Sequence, residues 1–258
     1  MTSFRWTYDQ LSKAIPKLTA HSSSPTRAAD LNPIIKGLLT ICPNSSICDI
    51  GGHSVLLSFT DDIVAKVPLK PGGEHVRHEQ SIFDLLDQTP CPYIVQTFFR
   101  CPNIIFMERL NDGTLQDRMR MINTSHQILQ WMQQLSGAAA WIESQGRVHG
   151  DINPRNILLK KDELKLGEFD HSLKINDPLD VGYEPYVRGC KKGEEGGNFG
   201  IAGPRTEQFS LGSIFWYMTR GTKLYYDIKG REKVNRLIDQ QFLATEPQDP
   251  IDYIISDY

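Results

Sequence analysis

The stretch Val148-His149-Gly150-Asp151-Ile152-Asn153-Pro154-Arg155-Asn156, followed by the apolar run Ile157-Leu158-Leu159, decides how the rest of the chain is read. Its pattern is H-x-D-x-x-x-x-N and then a short strand. A carboxylate and a carboxamide five residues apart on such a loop can face one cleft. The Asp151 carboxylate can accept a proton from an attacking hydroxyl. The Asn156 carboxamide oxygen can hold a divalent ion that neutralises phosphate charge. The same residues also fit a plain polar turn between a helix and a strand, because short motifs recur by chance. The flanking chain has to separate the two readings.

Upstream of the loop, residues 125–145 read as a helix whose core-facing stripe is Ile128, Trp131, Met132, Leu135, Ala138, Ala139 and Ile142. A short helix is expected over 115–121. Downstream, Leu158-Leu159 and Leu164-Lys165-Leu166 flank a charged turn and read as a hairpin. A Gly-rich, charged section follows over 178–204. A helix with Phe209, Leu211, Ile214, Phe215 and Met218 is expected over 206–219.

Further upstream, strand and turn signals replace the helical period. Strands are expected at 47–50, 55–59, 63–67, 93–99 and 103–108, with a helix at 74–86 carrying His75, Glu79, Ile82 and Leu86 along one side. Lys66 interrupts the apolar run Ile63-Val64-Ala65-Lys66-Val67. It is either a gatekeeper on an edge strand or a buried charge with a partner. Residues 1–46 read as a helical preface, with Tyr8, Leu11, Ile15 and Leu18 at helical spacing, an interruption at Pro16, a loop over 21–27 and a second short helix over 31–39. A packing role is expected for it. A β-rich part joined to an α-rich part makes an α+β chain with two lobes, and clefts between lobes are favoured ligand sites.

The totals exclude several classes. A net charge of −3 gives no bulk electrostatic case for nucleic acid. No apolar stretch approaches the roughly 20 residues of a membrane span, and no apolar h-region follows Met1. Five scattered cysteines point to free thiols in a reducing compartment, the cytosol first, with the nucleus open.

From Ile47 onward the order of these parts resembles the protein kinase fold, with a small β-rich N-lobe over about 47–108 and a mainly helical C-lobe from about 111. More narrowly, the chain resembles compact kinase-like proteins abundant in fungi, which share the H-G-D loop and a segment like Gly203-Pro204-Arg205-Thr206-Glu207-Gln208-Phe209. The resemblance implies that Lys66 binds ATP phosphates, that Glu79 pairs with it, that Met107 is the gatekeeper and that the backbone of Glu108 and Leu110 holds adenine. It implies that Gly51 and Gly52 cover the nucleotide, that Asp151 is the catalytic base, and that Asn156 and Glu168 hold Mg2+ or Mn2+. Arg155 occupies the arginine position of the tyrosine-kinase A-A-R-N loop and is expected to face the transferred phosphate.

Departures from the family pattern carry expectations too. Only Gly51-Gly52 stand for the G-x-G-x-x-G loop. Glu168-Phe169-Asp170 replaces Asp-Phe-Gly, with a carboxylate one methylene longer than the one Mg2+ usually meets there. Gly150 replaces the arginine of H-R-D, which predicts no phospho-switched activation loop. Glu207 replaces the helix aspartate that braces the catalytic loop. Tyr183-Glu184-Pro185-Tyr186 is a loose match to the A-P-E triplet, and the chain stops where kinases add further helices, which implies a shortened C-lobe. The implied function is ATP-dependent phosphorylation of protein hydroxyls, serine/threonine-type ahead of tyrosine-type. A nucleotide-binding pseudokinase scaffold and a small-molecule phosphotransferase of the aminoglycoside- or choline-kinase kind remain as alternatives. The protein substrate and the oligomeric state are not legible.

Overall fold

A computed structural model of the chain describes residues 7–20, 26–119, 125–239, 248 and 250–256. It forms two compact units, one from residues up to 88 together with 95–111, the other from 89–94 and 112 onward.

The first unit opens with helix α1 (Tyr8–Leu18). Thr7 and Gln10 cap it reciprocally, each side chain meeting the other's backbone amide. Pro16 lies in the last turn, where one missing amide bond does not stop the helix. Asn32 caps α2 (Pro33–Ile41), with Pro33 at the first helical position. Strands β1 (Ser46–Ile50), β2 (Ser54–Ser58), β3 (Ile63–Pro68), β4 (Thr97–Cys101) and β5 (Ile104–Glu108) form an antiparallel sheet of order β1-β2-β3-β5-β4. Strand residues alternate between faces. Ile47, Val55, Leu57 and Val67 therefore turn one way and share a core with Leu11, Ile15, Leu31 and Ile35 of the N-terminal helices. Lys66 turns the other way, toward helix α3 (Glu74–Leu86), which buries Val76, Glu79, Ile82, Phe83 and Leu86.

The second unit is built around α5 (Ser125–Ser144) and α6 (Pro204–Arg220), which pack on each other. A short α4 (Leu115–Arg118), capped by Thr114, leads in. Strand β6 (Arg147–Val148) enters the loop over 149–156. The hairpin β7 (Ile157–Lys160) and β8 (Glu163–Leu166) leaves it, and β6 pairs with β9 (Leu173–Lys174). The hairpin is seated on α5 by polar contacts as well as apolar ones. The Trp131 indole N–H donates to Asp162 O at 3.0 Å, and Gln134 Oε1 accepts from Leu164 N at 2.9 Å. Helices α7 (Arg231–Ile238) and α8 (Pro250–Ser256) complete the unit.

Several expectations shift. The apolar run 93–99 is not one strand. Tyr93 and Ile94 belong to the second unit, where Leu166 N donates to Tyr93 O at 2.9 Å. There the Tyr93 ring covers Gly137, whose missing Cβ would stand 2.9 Å from it. Ile128 is only half-buried, unlike the other six residues of its stripe. The helix at 115 ends at Arg118. The end of that expected helix at 120–121, most of the 21–27 loop and the last two residues lie outside the described residues. All five cysteines are unpaired. No helix among the described residues is long and apolar enough to cross a membrane.

Because α1 and α2 share the sheet's core, the N-terminal segment stabilises the first unit. Ile35 is fully buried. Ile35→Ala is expected to lower unfolding free energy by about 3 kcal/mol, measured by urea denaturation.

Candidate active site

In the first unit Lys66 sits on the central strand, opposite Leu56 on one side and Ile105 on the other. That rules out the edge-strand reading. Its Nζ lies 2.6 Å from Glu79 Oε2, and the two side chains are 2% and 1% exposed. Taking each ion out of water costs several kcal/mol, and only close attraction in the interior offsets it. Leu56, Val64 and Met107 share the lysine's face of the sheet by register and make it apolar.

The Glu108 amide is used inside the sheet, donating to Gln96 O at 2.9 Å, and its carboxylate accepts from Gln96 N at 2.8 Å. The Leu110 amide makes no backbone hydrogen bond among the described residues. Gly51 and Gly52 lie in the β1–β2 turn, closed by Gly51 N donating to Ser54 O at 2.8 Å. Neither has a left-handed φ, and a Cβ on Gly52 would meet nothing within 4 Å. His53, next in the turn, stacks on His75 of α3 with ring centres 3.7 Å apart.

In the second unit the loop after β6 hangs on Glu207 of α6. The amides of His149 and Gly150 donate to its two carboxylate oxygens at 2.9 and 3.2 Å. The bracing carboxylate expected from the sequence is in place, at glutamate's longer reach. Burial pushes the Glu207 pKa up to about 7, against the pull of those two amides. Gly150 has φ +80°, and a Cβ there would stand 2.5 Å from His171 O, so only glycine fits this turn.

His149 is fully buried against Phe169, with ring centres 4.9 Å apart. Asp151 N donates to its Nδ1 at 3.2 Å, which leaves Nε2 to carry the proton and donate to Gly167 O at 2.8 Å. Burial holds its pKa below the usual imidazole range. His149 is therefore a neutral strut.

Asp151 is tied down by two carboxamides. Asn153 Nδ2 donates to its carbonyl at 3.0 Å. Asn156 Nδ2 donates to the same carbonyl at 2.9 Å and to Oδ2 at 3.0 Å. Burial raises the Asp151 pKa above the ordinary carboxylate range, and neighbours led by His149 pull it back. With Asn156 Nδ2 engaged, its Oδ1 carries no hydrogen bond among the described residues and is a hard oxygen ligand in waiting. Gly167 N donates to Asn156 O at 3.0 Å, which brings Glu168 alongside. Glu168 has φ 63° and ψ 65°, a left-handed backbone costing roughly 1–2 kcal/mol in a non-glycine residue. Strain of this kind clusters at functional sites. A carboxylate and a carboxamide oxygen on adjoining backbone suit Mg2+ or Mn2+.

The sequence pattern passed over Tyr183 as a site residue. Its hydroxyl donates to Asn153 Oδ1 at 3.2 Å, and the Arg155 guanidinium lies 4.6 Å from its ring centre. Arg155 is thus anchored on an aromatic face. The segment after Tyr183 is fixed to α6, with Ser213 Oγ donating to Pro185 O at 2.8 Å and Ser210 Oγ to Tyr186 O at 2.7 Å. The only sequence signal was the loose Tyr-Glu-Pro-Tyr match. Lys66 and Glu79 belong to one unit. Asp151, Arg155, Asn156 and Glu168 belong to the other.

Residues 63–257 match the family model described as protein kinase domain. The mitogen-activated protein kinase HOG1A of Wallemia ichthyophaga is 26% identical over 243 residues, covering 90% of this chain and 62% of the relative. Mitogen-activated protein kinase kinase 7 of Arabidopsis thaliana is 27% identical over 197 residues, 68% of this chain and 62% of the relative. The mitogen-activated protein kinase sty1 of Schizosaccharomyces pombe is 25% identical over 242 residues, 90% and 65% respectively. The matches thus span somewhat under two thirds of the length of these relatives.

Two outcomes follow from the buried charges. Lys66→Met takes the ammonium from the Glu79 carboxylate and should cost about 3–5 kcal/mol in urea unfolding, while Lys66→Met with Glu79→Leu should recover most of it. For Glu207 the native pKa, about 7, exceeds its unfolded value of 4.5. Between those values the native state binds more protons, so this group's contribution to stability falls as pH rises. The unfolding free energy of wild type relative to Glu207→Gln should therefore decline between pH 4.5 and 7, as read from parallel denaturation series.

Proposed function

The chain belongs to the protein kinase domain family, and on that premise we propose that it transfers the terminal phosphoryl group of ATP to protein hydroxyls, serine and threonine ahead of tyrosine. The observation that carries this reading is the Asp151–Asn156 couple suspended from Glu207 through the backbone of His149 and Gly150. Phosphoryl transfer asks little covalent chemistry of a protein and much positioning. A loop in which each polar group is held by another supports that demand.

In this reading Lys66, oriented by Glu79, binds the phosphates. Leu56, Val64 and Met107 offer adenine an apolar face, with backbone groups of Glu108 and Leu110 at its edge. Asn156 Oδ1 and the Glu168 carboxylate hold the divalent ion. ATP with its ion supplies the phosphoryl group and neutralises the charge that develops on it. Asp151 receives the proton of the attacking hydroxyl, and Arg155 presents a fixed cation nearby. The brace from Glu207 supports the protein-kinase branch over the small-molecule one.

A second reading has its own support. Glu168 is longer than the family aspartate, and the Gly51-Gly52 turn uses no left-handed glycine. Both features favour a protein that binds nucleotide without turning it over.

A thermal-shift titration with ATP, with and without Mg2+ or Mn2+, and phosphate transfer to a generic protein substrate separate these readings. The expected result is metal-dependent stabilisation with transfer that falls about a hundredfold or more in Asp151→Asn. Stabilisation without transfer under either metal selects the scaffold. No stabilisation by ATP at all removes both.

A further inference from the structure

A cationic strip lies beside Asp151 in the second unit. Asn153 links them: its Nδ2 donates to the Asp151 carbonyl, and its Oδ1 accepts from the Tyr183 hydroxyl. The Tyr183 ring carries the Arg155 guanidinium on its face and meets the Tyr186 ring nearly edge-on, with centres 5.4 Å apart. Lys223 Nζ lies 5.9 Å from the centre of the Tyr186 ring.

These cations lack what others in this unit have. Arg188, Arg220 and Arg236 each pair with a carboxylate. Arg155 and Lys223 form no ion pair among the described residues. Burial lowers the Lys223 pKa, and the charges of Arg155 and Lys233 lower it further, with no acid opposing them. Cation–π contact fixes where such groups stand but cancels none of their charge. A half-buried ammonium beside a guanidinium is stabilised by an arriving anion. Arg155 is exposed and Lys223 half-buried, so an anion can reach them from solvent.

We propose that Arg155 and Lys223 form a subsite for an anionic side chain, a carboxylate or a phosphomonoester, on a protein substrate near the hydroxyl that Asp151 serves. The acceptor hydroxyl rests on the phosphotransfer reading above; capture of the anion does not. The guanidinium can engage either anion through two parallel hydrogen bonds, and the ammonium adds a point charge. The substrates selected are acidic or already phosphorylated segments.

The test uses the full chain carrying Asp151→Asn and three sets of serine peptides. They differ by glutamate, phosphoserine or alanine scanned through the positions flanking the serine, and binding is read by fluorescence anisotropy. At the preferred position the two anionic peptides should bind about tenfold tighter than the alanine peptide, an advantage that shrinks with salt. Lys223→Met should remove most of the advantage, and Lys223→Glu should turn it toward lysine-bearing peptides. Arg155→Gln, at an exposed position, supplies a second variant if Lys223 substitutions fail to fold, as judged by thermal melts. Phosphoserine bound well above glutamate identifies primed substrates; equal binding identifies acidic ones. Indifference to peptide charge, or an advantage that survives both Lys223→Met and Arg155→Gln in folded protein, overturns the proposal. An anion preference in a wild-type protein that transfers no phosphate would retire the phosphotransfer reading and leave the subsite standing.

Discussion

Two backbone amides at the start of a tight loop need acceptors, and in this protein one buried carboxylate serves both. Glu207 reaches from the central helix of the second unit to the amides of His149 and Gly150. From there order passes along the loop. His149 is held at both ring nitrogens, Asp151 is held through His149, and Asn153 and Asn156 close on Asp151. Each member has few rotamers left because its neighbour has used them. A carboxylate placed in an apolar interior is costly, and the two amides it receives are what make that position tenable.

The first unit repeats the logic with two side chains. Lys66 and Glu79 come from a central strand and a helix, and neither could be buried without the other. Such pairs add little net stability against an apolar replacement. What they supply is position, since the strand and helix must keep a set spacing for the charges to meet. Apolar cores on both faces of the sheet hold that spacing.

Much of this was legible in the chain itself, for identifiable reasons. The apolar run Ile63–Val67 placed a strand, and the one charge within it called for a partner. The helical stripe of α5 was strong enough to survive the partial exposure of Ile128. Five strand segments were expected, and five strands form one antiparallel sheet, the fourth displaced to Thr97–Cys101. The run 93–99 misled because β-branched and aromatic residues favour strand wherever they pack, and Tyr93 packs on Gly137 instead. Tyr183 escaped notice because its contacts to Asn153 and Arg155 join residues about 30 positions apart. Nothing local marks such a contact. Glu207 was legible only through the family resemblance; its raised pKa depends on burial by elements distant in the chain.

The glycine of the H-G-D loop limits how that loop can be controlled. Position 150, which carries arginine in the H-R-D form of the loop, has its Cβ direction closed by the carbonyl of His171 at 2.5 Å. An arginine placed there would drive its side chain into backbone. The 171 segment would have to shift to admit it. Control through a side chain at 150 therefore calls for a change in two segments at once, the loop and the 171 segment, and not in one residue.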